Sequence, residues 1–230
     1  MARMKRLARL GGIATMIVAM TVGLAYAADE TEKGQKIVDD MTQVFGNLTA
    51  DPDMGWFRSN LKRAQGVLIM RQYRAGFIVG ASGGRGVMLA RDKNTGKWSY
   101  PAFYGQGTGS FGFQIGADTS EIALLVMTEK GRDALLTTDV KLGGDISVAA
   151  GPVGAGVKAA TADVLSFART KGIYGGVALE GMVIGPQHKT NKTYYDADVS
   201  PLDILVKHEV TNPSADKLVA AVSEAASGKK

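Results

Sequence analysis

Two stretches of this chain are dense in glycine and also alternate apolar and small residues. Of the 30 glycines, 12 lie between Gly66 and Gly116 and 10 lie between Gly143 and Gly185. Between them Val, Ile, Leu, Phe and Tyr recur at every second position, as in β-strands, and glycine inside a strand marks a bend or a close backbone approach. The sequence therefore predicts two blocks of strands and not a flexible linker.

Helical patterns surround and separate these blocks. Apolar residues recur with helical spacing between Asp29 and Leu48, and Asp51 to Asp53 has the composition of a helix start. The run Glu121 to Met127 fits a strand or a helix. The remaining predicted helices are Thr128 to Leu136, Ser200 to Leu205 and Asn212 to Ala226, and the predicted strands lie within Gly66 to Met70, Gly76 to Arg91, Lys97 to Ala117 and Lys141 to Gly185. We expect an α+β fold, with mainly antiparallel strands in a curved sheet or barrel-like core and helices at both ends.

The first 27 residues have the organisation of a secretory signal. Arg3, Lys5, Arg6 and Arg9 precede an apolar run from Leu10 to Leu24, which is followed by a small-residue cleavage motif ending at Ala27. A retained membrane anchor is the alternative, but about 15 apolar residues fall short of the ~20 that span a bilayer. We expect a signal peptide over residues 1–27 and one domain over residues 28–230, in the periplasm or secreted, where it can attach peripherally to a membrane.

Charge and cysteine content exclude several classes of function. Removing residues 1–27 leaves 23 Lys and Arg against 22 Asp and Glu, so the mature chain has a net charge of +1. Nucleic-acid binding is therefore not expected, because it requires a basic domain or a clustered basic face. There is no cysteine, which excludes disulfides and thiolate metal sites.

Three motifs resemble catalytic or cofactor sites, but their context favours strands. Gly80 to Gly84 matches the G-x-S-x-G of a hydrolase around Ser82, which needs a strand, a sharp turn and a helix. Gly107 to Gly112 and Gly154 to Ala159 match dinucleotide-binding patterns, which also need a following helix. We predict no enzymatic activity, no cofactor and no metal, and hydrolysis by Ser82 is a minor alternative.

Charged residues inside the strand blocks suggest an internal polar cluster. Asp145 and Glu180 fall on otherwise small or apolar strand faces, where a carboxylate needs a partner. Arg85, Arg91 and Arg169 are the available cations. Structural ion pairs are the favoured interpretation, and a polar ligand pocket is the alternative.

A second cluster combines basic and aromatic residues. Trp56, Lys62, Arg63, Arg71 and Arg74 could meet an anionic membrane, because Trp suits the interface and cations attract lipid head groups. The alternative is that the apolar residues of this segment pack on the sheet while its charges are only solvated.

Several ordered blocks of the sequence resemble the SYLF domain family, over about Thr31 to Leu205. The most specific blocks are Leu61 to Ile69, Gly83 to Val87, Trp98 to Tyr104, Gly143 to Gly154 and Ser166 to Gly181. The resemblance implies a non-enzymatic domain that binds membrane lipid, of the phosphoinositide type in eukaryotic members, some of which are actin-regulating, Las17-binding proteins. For this chain we expect anionic phospholipid as the partner, contacted by Lys62, Arg63, Arg71 and Arg74 with Trp56 as an apolar anchor. The alternative is a structural or protein-interaction domain of the cell envelope without a lipid ligand.

Overall fold

A computed structural model describes residues 31–76, 79–111, 116–137, 139–151, 161–170, 173–175, 179 and 181–228. Nine strands of these ranges belong to one sheet. They are β1 (Gly66–Gly76), β2 (Val79–Ala90), β3 (Ala102–Phe111), β4 (Gly116–Val126), β5 (Val140–Lys141), β6 (Val148–Ala150), β7 (Val164–Thr170), β8 (Ile173–Gly175) and β9 (Val183–Pro186).

The sheet is mainly antiparallel and curls into a half-barrel. Its strands are paired in the order β5-β9-β3-β2-β1-β4-β7-β6, with β8 paired to the last residues of β7. Among the described pairs only β6 and β7 are parallel. The four long strands β3, β2, β1 and β4 thus lie side by side at the centre, and the architecture confirms the predicted α+β fold.

Both faces of the sheet are covered around the first half of β1. Val67 and Ile69 belong to one apolar cluster, whereas Leu68 and Met70 belong to a second, and all four are fully buried. Because successive strand residues point to opposite faces, an uninterrupted apolar run needs a covering layer on each side.

The first face is covered by helices from the two ends of the chain. Helix α1 spans residues 31–50 and α2 spans Gly55–Leu61, after a 3-10 turn at Pro52–Met54. The helix Asp216–Ser227, numbered α6 below, completes this layer. Helix α1 buries Val38, Met41, Val44, Phe45 and Leu48, whose spacing places them on one side of the helix.

The second face is covered by α3 (Glu129–Thr137) and α5 (Pro201–Leu205), whose buried apolar residues belong to the second cluster. Helix α4 (His188–Tyr195) instead packs against β3 from the first face, where the Tyr194 ring lies 4.9 Å from that of Phe103. Its Asn191 is buried and accepts a hydrogen bond from the Phe103 backbone N–H at 2.8 Å.

The observed elements correct several sequence predictions. Strand β1 continues past Met70 to Gly76, and the predicted block Lys97 to Ala117 is divided between β3 and β4. The ambiguous run from Glu121 belongs to β4, and helix α4 was not predicted. Parts of the second strand block, including residues 152–160, lie outside the described ranges, as do residues 1–30 of the predicted signal. Within the described ranges, no helix is both long enough and apolar enough to cross a bilayer.

Candidate functional site

A row of charged side chains crosses the first face of the sheet just beyond its apolar core. Arg85 of β2 is the direct cross-strand partner of Arg71 of β1, and Arg71 is in turn the partner of Glu121 of β4. Glu121 is paired with Arg169 of β7. Directly paired residues on neighbouring strands lie about 5 Å apart, so these four residues form one continuous line. We call them the ion-pair row.

Helix α1 supplies the anion that separates the two like charges of the row. The Asp40 carboxylate lies 3.5 Å from the Arg71 guanidinium and 3.4 Å from that of Arg85. Arg71 and Arg85 face each other directly across two strands, an arrangement that is unfavourable unless an anion lies between them. Asp40 therefore holds α1 against the sheet and neutralises the repulsion.

The other half of the row is neutralised in the same way. Glu121 lies 3.6 Å from Arg71 and 3.3 Å from Arg169, and it accepts a hydrogen bond of 2.9 Å from Asn47 of α1. Arg169 also lies 3.3 Å from Asp51, which begins the turn before α2. Together with Asp40 and Asp51, the row combines three arginines with three carboxylates, and this assembly carries no net charge.

Arg74 lies near the end of β1 on the opposite face. Its Nε atom is 3.6 Å from Asp118, and its Nη2 atom donates to the Ser120 hydroxyl at 3.3 Å. Like Arg71, it is therefore paired with a carboxylate.

Lys62 and Arg63 lie at the other end of β1. Both are exposed and follow directly after α2. Strand β1 begins at Gly66, and at ~3.3 Å per residue its course from there to Arg74 covers about 26 Å. The predicted lipid-binding residues therefore do not form one surface, because β1 separates the two pairs of cations along its length.

The other predicted member of that surface, Trp56, is part of the fold. Its ring packs 5.5 Å from that of Phe167, and a Cβ atom on Gly151 would lie 2.4 Å from the indole. The half-buried Trp56 side chain thus holds α2 against β7.

The predicted internal polar cluster is only partly assembled. Arg85 and Arg169 both belong to the ion-pair row, but Asp145 lies in an exposed turn and accepts a hydrogen bond from the Lys141 backbone N–H at 2.7 Å. Arg91 lies elsewhere, and Glu180 lies outside the described residues. The partners that the arginines use are Asp40, Asp51 and Glu121, which the sequence analysis did not select.

Arg91 instead organises the surface around Lys62. Its guanidinium donates to the Lys62 carbonyl at 2.9 Å and to the Gly96 carbonyl at 3.2 Å, which brings the turn after β2 against the end of α2. Lys97 follows in this turn and is exposed. We call Lys62, Arg63, Arg91 and Lys97 the basic end.

Within the described residues, no carboxylate forms an ion pair with Lys62, Arg63 or Lys97. Arg63 donates to the neutral amide oxygen of Asn60, at 2.8 and 3.1 Å. The nearby Asp92 carboxylate accepts hydrogen bonds from within its own turn. The Thr95 backbone N–H and hydroxyl donate to it, and these bonds lower the pKa of Asp92. Among the described residues the basic end therefore has no carboxylate to neutralise it, in contrast to the ion-pair row.

Comparison with known proteins identifies the family. The family model described as "Ysc84: Las17-binding protein actin regulator" matches residues 107–225, which is more than half of the chain. This chain belongs to the Ysc84 family.

Individual Ysc84 relatives are similar over most of this chain. The bovine SH3 domain-containing YSC84-like protein 1 is 29% identical over 191 residues, covering 80% of this chain and 55% of the relative, and the human protein of that name is 30% identical over 182 residues, covering 76% and 52%. Protein YSC84 of Saccharomyces cerevisiae is 29% identical over 201 residues, covering 83% and 42%. The chain thus spans about half the length of these relatives. No solved structure shows significant similarity to it.

The relatives are named as binding or regulatory proteins and not as enzymes. The described parts of the motifs that resemble catalytic sites lie in β-strands. Ser82 lies inside β2, where its hydroxyl accepts from the Gln72 amide at 3.2 Å, and not at a turn between a strand and a helix. Residues 107–111 of the first dinucleotide-like motif are part of β3, and Gly154 to Ala159 lie outside the described residues.

A groove of about 310 Å³ lies beside β3 and β9. Its described lining consists of glycines together with the side chains of Asp139, Val183, Pro186 and Gln187 and part of Gln106. This lining includes a carboxylate and no basic residue, so it does not suit a phosphate head group.

Proposed function

We propose that this Ysc84-family chain is a non-catalytic binding module that attaches to membranes rich in anionic phospholipid through its basic end. The observation that carries the proposal is the contrast between the two groups of cations. Arg71, Arg74, Arg85 and Arg169 are neutralised by carboxylates, whereas Lys62, Arg63 and Lys97 are exposed and face no carboxylate of the described residues.

The size of the expected attraction follows from the number of free charges. A Lys or Arg near an anionic membrane surface contributes about 1 kcal/mol. Three such residues contribute about 3 kcal/mol, which is roughly a 100-fold change in the partition coefficient. Exposed charges are screened within ~10 Å at 0.1 M salt, so the binding should weaken steeply as salt is raised.

Vesicle cosedimentation tests the proposal. Wild-type protein should bind vesicles containing phosphatidylglycerol and should not bind vesicles of pure phosphatidylcholine. The variant K62Q/R63Q/K97Q should lose most of this binding at low salt.

The matched control is K36Q/K192Q/K207Q, which also removes three positive charges. Each of these lysines already has a carboxylate partner: Glu32 at 2.7 Å, Asp198 at 3.4 Å and Asp203 at 2.7 Å. The control should retain binding close to that of the wild type. Equal losses in the two triple variants would show that only net charge matters, and the basic end would then not be the site.

The proposed location is the periplasm or the cell exterior, after cleavage near Ala27. The proposal is supported by the positive residues, apolar run and small-residue motif at the start of the sequence. N-terminal sequencing of the protein from a periplasmic fraction should give Ala28 as the first residue, and a sequence beginning at Met1 would contradict cleavage.

A protein-interaction domain without a lipid ligand is the second candidate. It is suggested by the printed names of the yeast relatives, one of which is LAS seventeen-binding protein 3. On this chain, Leu202 and Val206 lie one helical turn apart and are 41% and 38% exposed, so they offer a small apolar contact. This candidate predicts that wild-type protein ignores anionic vesicles at low salt but forms crosslinks to an envelope protein that L202S/V206S abolishes.

A further inference from the structure

The second face of the sheet carries a buried polar row at the same level as the ion-pair row. Gln106 of β3 is the direct partner of Gly84 of β2, which is the partner of Gln72 of β1. Gln72 is in turn paired with Ser120 of β4. Directly paired residues have their side chains on the same face, so the two glutamine amides lie on either side of a position that has no side chain.

The polar groups of this row are removed from solvent. Gln72 is 4% exposed and Gln106 is 8% exposed, while Ser120 is fully buried. The Gln106 side chain extends over Gly84 toward β1, because a Cβ atom on Gly84 would lie 2.8 Å from the Gln106 Nε2 atom. Because Gly84 has no side chain, the Gln106 amide can lie over β2 at this position.

Three amide atoms of this row have no hydrogen-bonding partner among the described residues. They are Gln106 Nε2, Gln106 Oε1 and Gln72 Oε1, whereas Gln72 Nε2 donates to Ser82. Buried polar atoms in proteins are nearly always hydrogen-bonded, and leaving one unpaired costs free energy. Gly84 and Gln106 also line the groove of about 310 Å³ beside β3 and β9, so the unpaired Gln106 amide borders a space that another molecule can fill, with Gln72 on the next strand beyond Gly84.

The next row toward the strand ends adds two further atoms to this set. Arg74 Nε and Asp118 Oδ1 lie 3.6 Å apart, and neither has a hydrogen-bonding partner within the described part of the chain. Their charges offset each other, so the site carries no net charge. A charged ligand would therefore enter without a counterion, which is unfavourable in a buried site.

The donors and acceptors of the site define the chemistry of its ligand. A glutamine carbonyl oxygen and a carboxylate accept hydrogen bonds, whereas the glutamine NH₂ and the guanidinium donate them. The five atoms that make no hydrogen bond thus comprise three acceptors and two donors. A hydroxyl group both donates and accepts through a single oxygen, so neighbouring hydroxyls can serve mixed partners of this kind.

We propose that the Gln72 and Gln106 amides form a binding site for an uncharged, hydroxyl-rich ligand, namely a saccharide or polyol unit. The site is independent of the basic end, since it lies on the second face of the sheet and recognises hydroxyls and not phosphate. The same chemistry is found in a free sugar and in the head group of a glycolipid.

NMR titration of the ¹⁵N-labelled full chain tests the site. The side-chain NH₂ signals of Gln72 and Gln106 are assigned from their disappearance in Q72L and Q106L. They should shift saturably with galactose, with glycerol, or with vesicles containing monogalactosyl diacylglycerol, and should not shift with inorganic phosphate or choline. Saturation by the free sugar identifies a soluble ligand, and saturation by the vesicles alone identifies a lipid-borne one.

Leucine variants separate ligand binding from a purely structural role. Q106L and Q72L should each weaken binding at least tenfold, yet they should unfold at the same temperature as ligand-free wild type or higher, because an unpaired buried amide is replaced by an apolar side chain. Gln65 is the matched control, since its Oε1 atom is also buried and unpaired but lies at the other end of β1. Q65L should bind as the wild type does.

Three results would overturn the proposal. The first is that none of the hydroxyl-bearing probes shifts either amide while long-lived water signals contact Gln106, which would assign the space to water. The second is that phosphate or choline shifts the amides and the hydroxyl-bearing probes do not. The third is that Q106L binds the probe as tightly as Q65L. Should Q106L fail to fold, Gln106→Met supplies the same comparison with a more flexible side chain.

Discussion

Replacing Glu121 with alanine removes the carboxylate at the centre of the ion-pair row. The Glu121 side chain is 16% exposed and interacts with Arg71, Arg169 and Asn47 at 3.6, 3.3 and 2.9 Å. Its loss leaves two guanidinium groups with one carboxylate each and frees the Asn47 amide of α1. The substitution therefore weakens the attachment of α1 to the sheet without touching the apolar core.

The loss of stability expected for E121A lies between two known limits. Breaking a fully buried ion pair by removing one partner costs about 3–5 kcal/mol, whereas an exposed pair contributes about 0–1 kcal/mol. The Arg71 and Arg169 side chains are 19% and 27% exposed, and each retains a second carboxylate in Asp40 or Asp51. We expect E121A to lower the free energy of unfolding by about 2–3 kcal/mol, within these limits.

Urea unfolding at neutral pH measures this loss, with an unchanged slope as evidence that the two-state description holds. The control is D198A, which removes a carboxylate that is 91% exposed and lies 3.4 Å from Lys192. It should change stability by less than about 0.5 kcal/mol. A loss in E121A no larger than that in D198A would refute the reasoning, since the row would then contribute no more than a surface ion pair.

Two further predictions concern Trp56 and the start of α5. W56A should lower the free energy of unfolding, measured in urea, by about 2–4 kcal/mol, because it leaves a cavity against Phe167. It should leave vesicle affinity unchanged. A selective loss of vesicle binding would instead support Trp56 as a membrane anchor. At α5, the Lys207 amine donates to the Asp203 carboxylate, as do the hydroxyl and backbone N–H of Ser200, and these bonds lower the pKa of Asp203 to about 2. The stability that Asp203 contributes is therefore fully present above about pH 4 and is lost as the pH falls toward 2. S200A should raise this pKa in an NMR titration and cost about 1 kcal/mol in unfolding, and an unchanged pKa would contradict the assignment.

The sequence predicted those elements whose apolar residues repeat with a clear period. Helix α1, predicted from Asp29 to Leu48, is observed over residues 31–50 because its buried residues form a single stripe. Helix α4 could not be found in this way. It buries only Asn191 and Tyr194, and its attachment to β3 depends on hydrogen bonds to Phe103 that no local pattern reports.

Local sequence patterns could not identify the carboxylate partners of the arginines. Arg71 and Glu121 are 50 residues apart and meet only because β1 pairs with β4 in a particular register. One signal was available, since Glu121 directly precedes the buried run Ile122 to Val126, and a carboxylate at the edge of such a run needs a partner. Asp40 gave no such signal, because a charged residue beside the apolar stripe of a helix is usually solvated.

Local sequence patterns also could not group the residues of the basic end. Lys62 and Lys97 are distant in sequence and become neighbours through the two hydrogen bonds of Arg91 to backbone carbonyls. The sequence grouped Lys62 with Arg71 instead, because both belong to one short segment. A strand of extended backbone separates residues that lie near each other along the chain, and this is why the sequence grouped cations that the structure holds apart.

The central strands change character at one level along their length, and the two faces respond differently. From Val67 to Met70 both faces of β1 are apolar. Beginning at Arg71, the first face carries the ion-pair row and the second carries Gln72 and its neighbours. On the first face, α1 and the turn before α2 provide a carboxylate for every arginine, so the polarity has a structural explanation. On the second face, amide atoms remain unpaired within the described residues, which lowers stability without any structural gain. The opposite effects expected for E121A and Q106L follow from this difference. E121A removes a group whose hydrogen bond and ion pairs are made, so it should destabilise the chain. Q106L removes a group without hydrogen bonds, so it should preserve stability while weakening ligand binding at least tenfold.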